Sequence, residues 1–185
     1  AYYDLYGYYF FRDVNKSKEF FNKYKPLADP GPALDYEEAS LLFASGDNKG
    51  AIAKADQLLA SQGENADARL YRLKSYSYDK LGDSTNAIHN METFISKAKE
   101  DQIVSDNWVL AASLAAKFPE KQEKFDHYIK TAIAMDTSQK AKVDIARKAI
   151  DIFKRIPNQQ KVAECSLEIL NMVKPAPSKV DIYNA

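Results

Sequence analysis

A Gly-Asp pair that recurs at a fixed interval constrains this chain more than any other feature of its sequence. Gly46-Asp47 is followed 36 residues later by Gly82-Asp83, and Ala51-Ile52 is followed at the same interval by Ala87-Ile88. A fixed interval of this size is typical of proteins built from one repeated supersecondary unit. The sequence therefore predicts at least two copies of such a unit over residues 36–95.

Each unit reads as two helices joined by a short turn. Leu70, Leu73 and Leu81 recur at helical spacing before the turn. Gly82 suits a left-handed helix C-terminus, and Asp83 or Ser84 can cap the next helix. That second helix carries an apolar stripe formed by Ala87, Ile88, Met91, Phe94 and Ile95. We therefore predict a helical hairpin.

Similar but weaker patterns extend to both ends of the chain. They predict a single repeat domain over residues 1–185, with five hairpins at approximately 2–25, 33–62, 66–98, 105–135 and 138–173. The first hairpin is expected to turn near Asp13-Val14-Asn15, and the last to bury Leu167 and Leu170. Residues 174–185 resemble the start of a further unit. We therefore expect a fragment of a longer array.

Composition excludes some partners and leaves the compartment open. Lys plus Arg and Asp plus Glu both number 26, and this balance argues against non-specific nucleic-acid binding. A single cysteine, Cys165, cannot form an intrachain disulfide or a cysteine-based zinc site. No apolar run is long enough to span a bilayer. Because the chain starts at Ala1, the N-terminus is expected to be missing, so cytoplasmic and exported locations both remain open.

The repeat resembles that of the tetratricopeptide (TPR) family. The residues that carry the resemblance are Tyr71, Ser75, Tyr78, Gly82, Asp83 and Ala87, and, in a further unit, Trp108, Ala112, Phe125 and Ala132. The resemblance implies an all-α, right-handed superhelix of about five TPR-like hairpins, with first helices lining a concave, protein-binding face. Some members clamp a peptide carboxylate with Lys, Arg and Asn. Ser40 and Tyr76 stand where that Asn is expected, which disfavours this clamp.

Two groups of residues are candidates for binding a protein or peptide. Arg69, Arg72, Tyr76 and Lys80 share one helix face, and Tyr36 and Phe43 lie on the preceding first helix. The alternative for this strip is a solvated helix face. The second group is an aromatic interface that includes Tyr3, Tyr8, Tyr9 and Phe11, because the consecutive aromatic residues 8–11 cannot all face one side of a helix. Packing against a preceding repeat or within a second core layer is the alternative.

The sequence favours binding over catalysis. His89 and His127 have no metal-spaced partner, and Cys165 reads as an ordinary buried thiol. The adjacent Glu37 and Glu38 point in different directions and make a poor acid–base pair. We therefore predict no catalytic residue, no metal site and no cofactor. The alternatives to a binding scaffold are a structural segment of a larger cell-envelope or assembly protein and a glycan-binding module.

Overall fold

The computed structural model describes residues 1–154, 166–167 and 169–173, and within these residues helices are the only regular secondary structure. This confirms the all-α prediction. Residues 166–167 and 169–172 are also helical. Within the described residues, the nine α-helices with defined bounds are α1 (Tyr2–Tyr9), α2 (Val14–Tyr24), α3 (Pro32–Ala44), α4 (Asn48–Gln62), α5 (Arg69–Lys80), α6 (Ser84–Lys97), α7 (Ser105–Ala115), α8 (Gln122–Met135) and α9 (Gln139–Phe153).

The chain divides into two compact units, which meet in sequence between Ala98 and Lys99. In the first unit α1 packs on α2, α3 on α4, and α5 on α6, so it holds three successive hairpins. First helices also touch, because α3 contacts α5. In the second unit α8 packs on α7 and α9, and α7 also contacts α9. The single repeat domain over the whole chain stays a prediction.

The two Gly-Asp turns are built by the same hydrogen bonds. Gly46 and Gly82 have φ of 81° and 79°, a left-handed conformation in which a Cβ would be strained. The amide of Asp47 donates to Leu42 O at 3.0 Å, and the amide of Asp83 donates to Tyr78 O at 2.9 Å. This six-to-one bond is the mark of a Schellman helix end. The predicted role of the glycines is therefore confirmed.

An aspartate caps the second helix of each hairpin in the first unit. Asp47 accepts from the amide of Gly50 at 2.8 Å, and Asp83 accepts from that of Asn86 at 3.0 Å. In the first hairpin Asp13 accepts from the amide of Lys16 at 3.1 Å. Because Asp13 is this N-cap, α2 already starts at Val14. The predicted turn near Asp13-Val14-Asn15 was therefore placed too late by about two residues.

Small side chains let the helices of the first unit approach closely. Ala39, Ala51, Ala55 and Ala87 are completely buried, and large residues such as Phe94 fill the space beside them. Burial of this apolar surface is the main stabilising contribution to such a hairpin stack.

Two buried serines on α5 differ in one respect. Ser75 and Ser77 are both fully buried. The Oγ of Ser75 donates to Ala87 O on α6 at 2.8 Å. The Oγ of Ser77 has no hydrogen-bond partner among the described residues. Ser75 therefore links the two helices of the hairpin, whereas Ser77 only fills space.

The second unit has its own apolar core, formed by the helices that follow Lys99. Phe125, Ile129, Ala132 and Ala149 are completely buried. Near the end of the described chain Ile169 is also fully buried, whereas Leu167 is 62% exposed. The prediction that Leu167 faces the core was wrong, because the buried face of that helix passes through Ile169 and Val173 instead.

Replacing Gly82 tests the turn. Gly82→Ala is expected to destabilise the unit by about 1–2 kcal/mol, because alanine resists the left-handed conformation. Gly7→Ala is the matched control: Gly7 lies inside α1, where an added Cβ meets no atom within 4 Å, and alanine favours a helix by about 0.5–1 kcal/mol. Urea unfolding followed by circular dichroism measures both. Equal effects of the two changes would contradict the role given to Gly82.

Replacing each serine by alanine isolates the hydrogen bond between α5 and α6. Ser75→Ala is expected to cost about 1 kcal/mol, the net value of a typical buried hydrogen bond. Ser77→Ala removes a buried polar atom without a partner, so it is expected to be neutral or stabilising. Both serines lie on α5 and are fully buried. The difference between the two variants in free energy of unfolding therefore measures the contribution of the hydrogen bond from Ser75 to Ala87 O. A larger loss for Ser77→Ala would refute this assignment.

Candidate functional site

An open cavity of about 600 Å³ lies within the first unit, and three first helices line it. Helix α1 and the turn after it contribute one wall, and α3 and α5 contribute the others. The sequence-predicted residues brought together here are Tyr3, Phe11, Tyr36, Phe43, Arg69, Arg72 and Tyr76. We call this space the main cavity. Its size is that of pockets that hold small molecules or the side chains of a bound peptide.

Arg69 is fixed at the edge of the main cavity by its own chain. Its Nη2 lies 2.6 Å from Asp67 Oδ2, and its Nε also donates to that oxygen at 2.9 Å. The guanidinium carbon sits 4.3 Å from the centroid of the Tyr36 ring. Burial opposes ionisation of Asp67, but the bonds from Arg69 hold its pKa below the usual value. The charge of Arg69 is therefore already balanced.

Arg72 is held without an acidic partner among the described residues. Its Nη2 donates to the hydroxyl of Tyr36 at 3.1 Å. Its guanidinium carbon lies 5.3 Å from the centroid of the Phe94 ring. This position is half-buried, so the alternative of a simple solvated face does not describe it. Arginine has five N–H donors, and most of those of Arg72 remain available to a ligand.

Glu37 is a functional candidate that the sequence did not predict. It lines the main cavity, and its Oε2 is buried without a hydrogen-bond partner. Burial raises the pKa of Glu37, although a hydrogen bond with Tyr3 and the charge of Arg69 oppose that rise. One helical turn later Ser40, which is only 9% exposed, also lines the cavity with an Oγ that lacks a partner. The sequence signal that could have identified this pair is its spacing, because residues three apart lie on the same face of a helix.

Glu38 faces a different environment from its neighbour. Its two carboxylate oxygens meet Lys25 Nζ at 2.6 Å and Lys54 Nζ at 2.9 Å. The hydrogen bonds from these lysines lower the pKa of Glu38. Adjacent positions on a helix are separated by about 100°. Glu37 and Glu38 therefore point in different directions, as their adjacent positions on the helix predict.

A smaller cavity of about 420 Å³ adjoins the first and shares three of its aromatic residues. We call it the side cavity, and Phe10, Phe11 and Phe43 line both. Lys80 lines the side cavity and does not line the main cavity. Phe11 is 92% exposed although it borders both spaces. An apolar ring in this position is suited to contact with a bound partner.

The predicted aromatic interface divides into two parts. Tyr3 and Phe11 line the main cavity, as described above. Tyr9 stacks on Phe20 with ring centroids 5.6 Å apart and an interplanar angle of 11°. Tyr8 is exposed, with the guanidinium of Arg12 at 4.4 Å from its ring centroid. Tyr8 and Tyr9 therefore line neither cavity.

Neither histidine is a lining residue of the two cavities. His89 and His127 are exposed, and the ring of His127 lies edge-on to that of Trp108 at 6.0 Å. Cys165 lies outside the described residues. Within the part of the chain that the structure describes, no group of three or more His, Cys, Asp or Glu residues could hold a metal ion. None of the described helices is both long and apolar enough to cross a bilayer.

Comparison with known proteins supports the class of fold. The chain has the fold of a TPR-type helical repeat. The solved structure that shows this is a chain described as "MamA RS-1 ArsTM double mutant", with a TM-score of 0.59, 16% sequence identity and 92% of each chain covered. No family model and no curated protein matches this chain by sequence. At a sequence identity of 16%, the similarity to this structure shows a shared fold.

Replacing the two adjacent glutamates tests the electrostatics of the cavity wall. Because the folded-state pKa of Glu37 is raised, its charged form costs stability above that pKa and nothing below about 4.3, the unfolded value. Glu37→Gln is therefore expected to stabilise the unit at pH 7, with no gain at pH 3. Urea unfolding at both pH values measures this.

Glu38→Gln is the matched control, with the opposite sign. Its lowered pKa means that its charged form stabilises the folded state above the unfolded pKa and that this gain is lost as pH falls. Glu38→Gln is therefore expected to destabilise at pH 7 and to have little effect at pH 3. Two changes of the same sign at pH 7 would contradict the environments assigned to these carboxylates.

Proposed function

We propose that the chain is a non-catalytic binding protein whose main cavity takes a segment of another protein. The observation that carries this proposal is the convergence of α1, α3 and α5 on one open cavity. These are the first helices of three successive hairpins, and the TPR resemblance assigns peptide binding to that face. The TPR-type fold also supports a general role in protein binding.

The chemistry of the main cavity suits a peptide segment. Aromatic rings from Tyr36, Phe43 and Tyr76 give apolar contact area at low entropic cost. Arg72 can donate to main-chain carbonyl groups, because it has donors that no acidic side chain within the described residues occupies. Phe11 adds an exposed ring at the rim. Aromatic residues and arginine are the types that most often dominate binding energy at protein interfaces.

The side cavity extends the surface along which a segment can run. Phe11 and Phe43 line both spaces, so contacts made in the main cavity continue toward Lys80. A bound segment that spans both would cover Phe11 and bring an acidic or carbonyl group near the ammonium of Lys80. This assigns Lys80 to the end of the binding surface rather than to its centre.

Filling the main cavity gives a direct test. Gly7 lines it, and a Cβ built there meets no atom within 4 Å. Gly7→Leu is therefore expected to place a side chain in the cavity, keep the helix and weaken peptide binding by at least about tenfold. Peptides selected from a random displayed library on the wild-type full chain supply the ligands, and fluorescence anisotropy measures their affinity.

Two further variants complete this experiment. Ala60→Leu, at an exposed position of α4, is the matched control and should leave affinity unchanged. Arg72→Glu combined with Tyr76→Ala should abolish binding while helicity is kept, whereas Arg147→Glu, on the exposed surface of α9, should not. Peptides that bind Gly7→Leu as well as they bind the wild type would exclude the main cavity as the site.

A further inference from the structure

The wall that α3 presents to the main cavity carries two acceptors that the protein itself leaves unused. Glu37 Oε2 and Ser40 Oγ are both buried and both without a hydrogen-bond partner. Buried polar atoms in native proteins are nearly always paired, and an unpaired one costs free energy. Both residues line an open cavity that a ligand can enter. The missing donor is therefore to be sought in a ligand.

Neighbouring cations do not fill this role. Arg69 is engaged by Asp67 through two donors, at 2.6 and 2.9 Å from one oxygen. Arg72 donates to Tyr36 and faces the Phe94 ring. No ion pair joins Glu37 to any described residue, and the influence of Tyr3 and Arg69 only partly offsets the effect of burial on its pKa. A negative charge thus remains at the cavity wall without a cation within ion-pair distance.

The surroundings of Glu37 select a cationic, slender group. Tyr3, Tyr6 and Phe10 line the same space, and aromatic faces attract cations. We propose that the main cavity binds a lysine side chain of the partner segment, with its ammonium at Glu37 Oε2 and Ser40 Oγ and its aliphatic stem along these rings. This proposal rests on the proposed function, since it names the residue that the bound segment contributes.

Lysine fits the two acceptors better than arginine does. An ammonium has three rotatable donors on a compact centre, which can serve two oxygens from separate side chains. A guanidinium favours both oxygens of one carboxylate, whereas the two acceptors here, Glu37 Oε2 and Ser40 Oγ, belong to separate side chains. The lysine of the bound segment does not have to balance the charge of Arg72 as well. Its remaining donors suit a main-chain carbonyl of the segment, which carries no charge to oppose the lysine.

The test is selection from a displayed random peptide library on the full chain, followed by affinity measurement with synthetic peptides. Peptides selected on the wild type are expected to be enriched in lysine at one position. Replacing that lysine by norleucine or acetyl-lysine, which keep the stem and remove the charge, should lower affinity by about ten- to a hundredfold, the range for a hydrogen bond to a charged group. Replacement by arginine should also weaken binding.

Variants of the protein assign the effect to the proposed acceptors. Glu37→Gln and Ser40→Ala should each remove most of the preference for lysine over norleucine, and Glu37→Lys should shift selection toward acidic residues. Glu38→Gln is the matched control, because Glu38 is paired with Lys25 and Lys54 and does not line the main cavity. Its selected peptides should keep the wild-type preference.

The outcomes separate this inference from the proposed function. Peptides that bind the wild type and are weakened by Gly7→Leu, but show no lysine preference, would overturn the lysine site and leave peptide binding standing. A lysine preference that Glu37→Gln does not change would also overturn it. A library from which no peptide binds would overturn both.

Discussion

The close turn between paired helices is the constraint on which the first unit depends. A glycine in the left-handed conformation ends α3 and α5, and the aspartate that follows caps the next helix through its side chain while its own amide closes the preceding one. Two residues thus satisfy both helix ends and reverse the chain. This reversal pairs each first helix with the following second helix. The first helices α3 and α5 then meet, and together with α1 they line the main cavity.

Cross-helix hydrogen bonds from buried serines fix the pairing that the turns begin. Ser75 on α5 donates to Ala87 O on α6, and Ser17 on α2 donates to Tyr6 O on α1 at 3.0 Å. In both hairpins the serine is fully buried and bonds to the main chain of the paired helix. The first hairpin lacks a Gly-Asp turn, and aromatic packing of Tyr6 on Phe21, with ring centroids 5.2 Å apart, holds it instead.

Local sequence signals predicted the parts of this structure that depend on local chemistry. The left-handed glycines, the aspartate caps and the buried alanines follow from spacing within a single hairpin, so they could be read directly. The shared face of Arg69, Arg72 and Tyr76 follows in the same way from helical periodicity. Lys80 lies one turn further along and lines the side cavity, which periodicity alone does not distinguish from the main cavity.

Local spacing did not predict which of several possible partners a side chain contacts in the folded structure. Arg69 binds Asp67, two residues before it in sequence, rather than Glu37 on α3, and among the described residues the carboxylate of Glu37 therefore forms no ion pair. Tyr9 stacks on Phe20 of the next helix, so a ring expected at an interface is used in packing. Both results follow from tertiary geometry, which a single sequence does not specify.

The contrast between Glu37 and Glu38 shows how one helix separates stability from binding. A rotation of about 100° per residue turns Glu38 toward two lysines and Glu37 toward the main cavity. Hydrogen bonds from the lysines lower the pKa of Glu38, whereas burial raises the pKa of Glu37 against the smaller effects of Tyr3 and Arg69. A carboxylate that the fold already satisfies gains little from a ligand. A ligand cation that enters the cavity can replace the interaction with water that the Glu37 carboxylate loses on burial. Glu37 can therefore contribute to binding affinity, whereas Glu38 cannot.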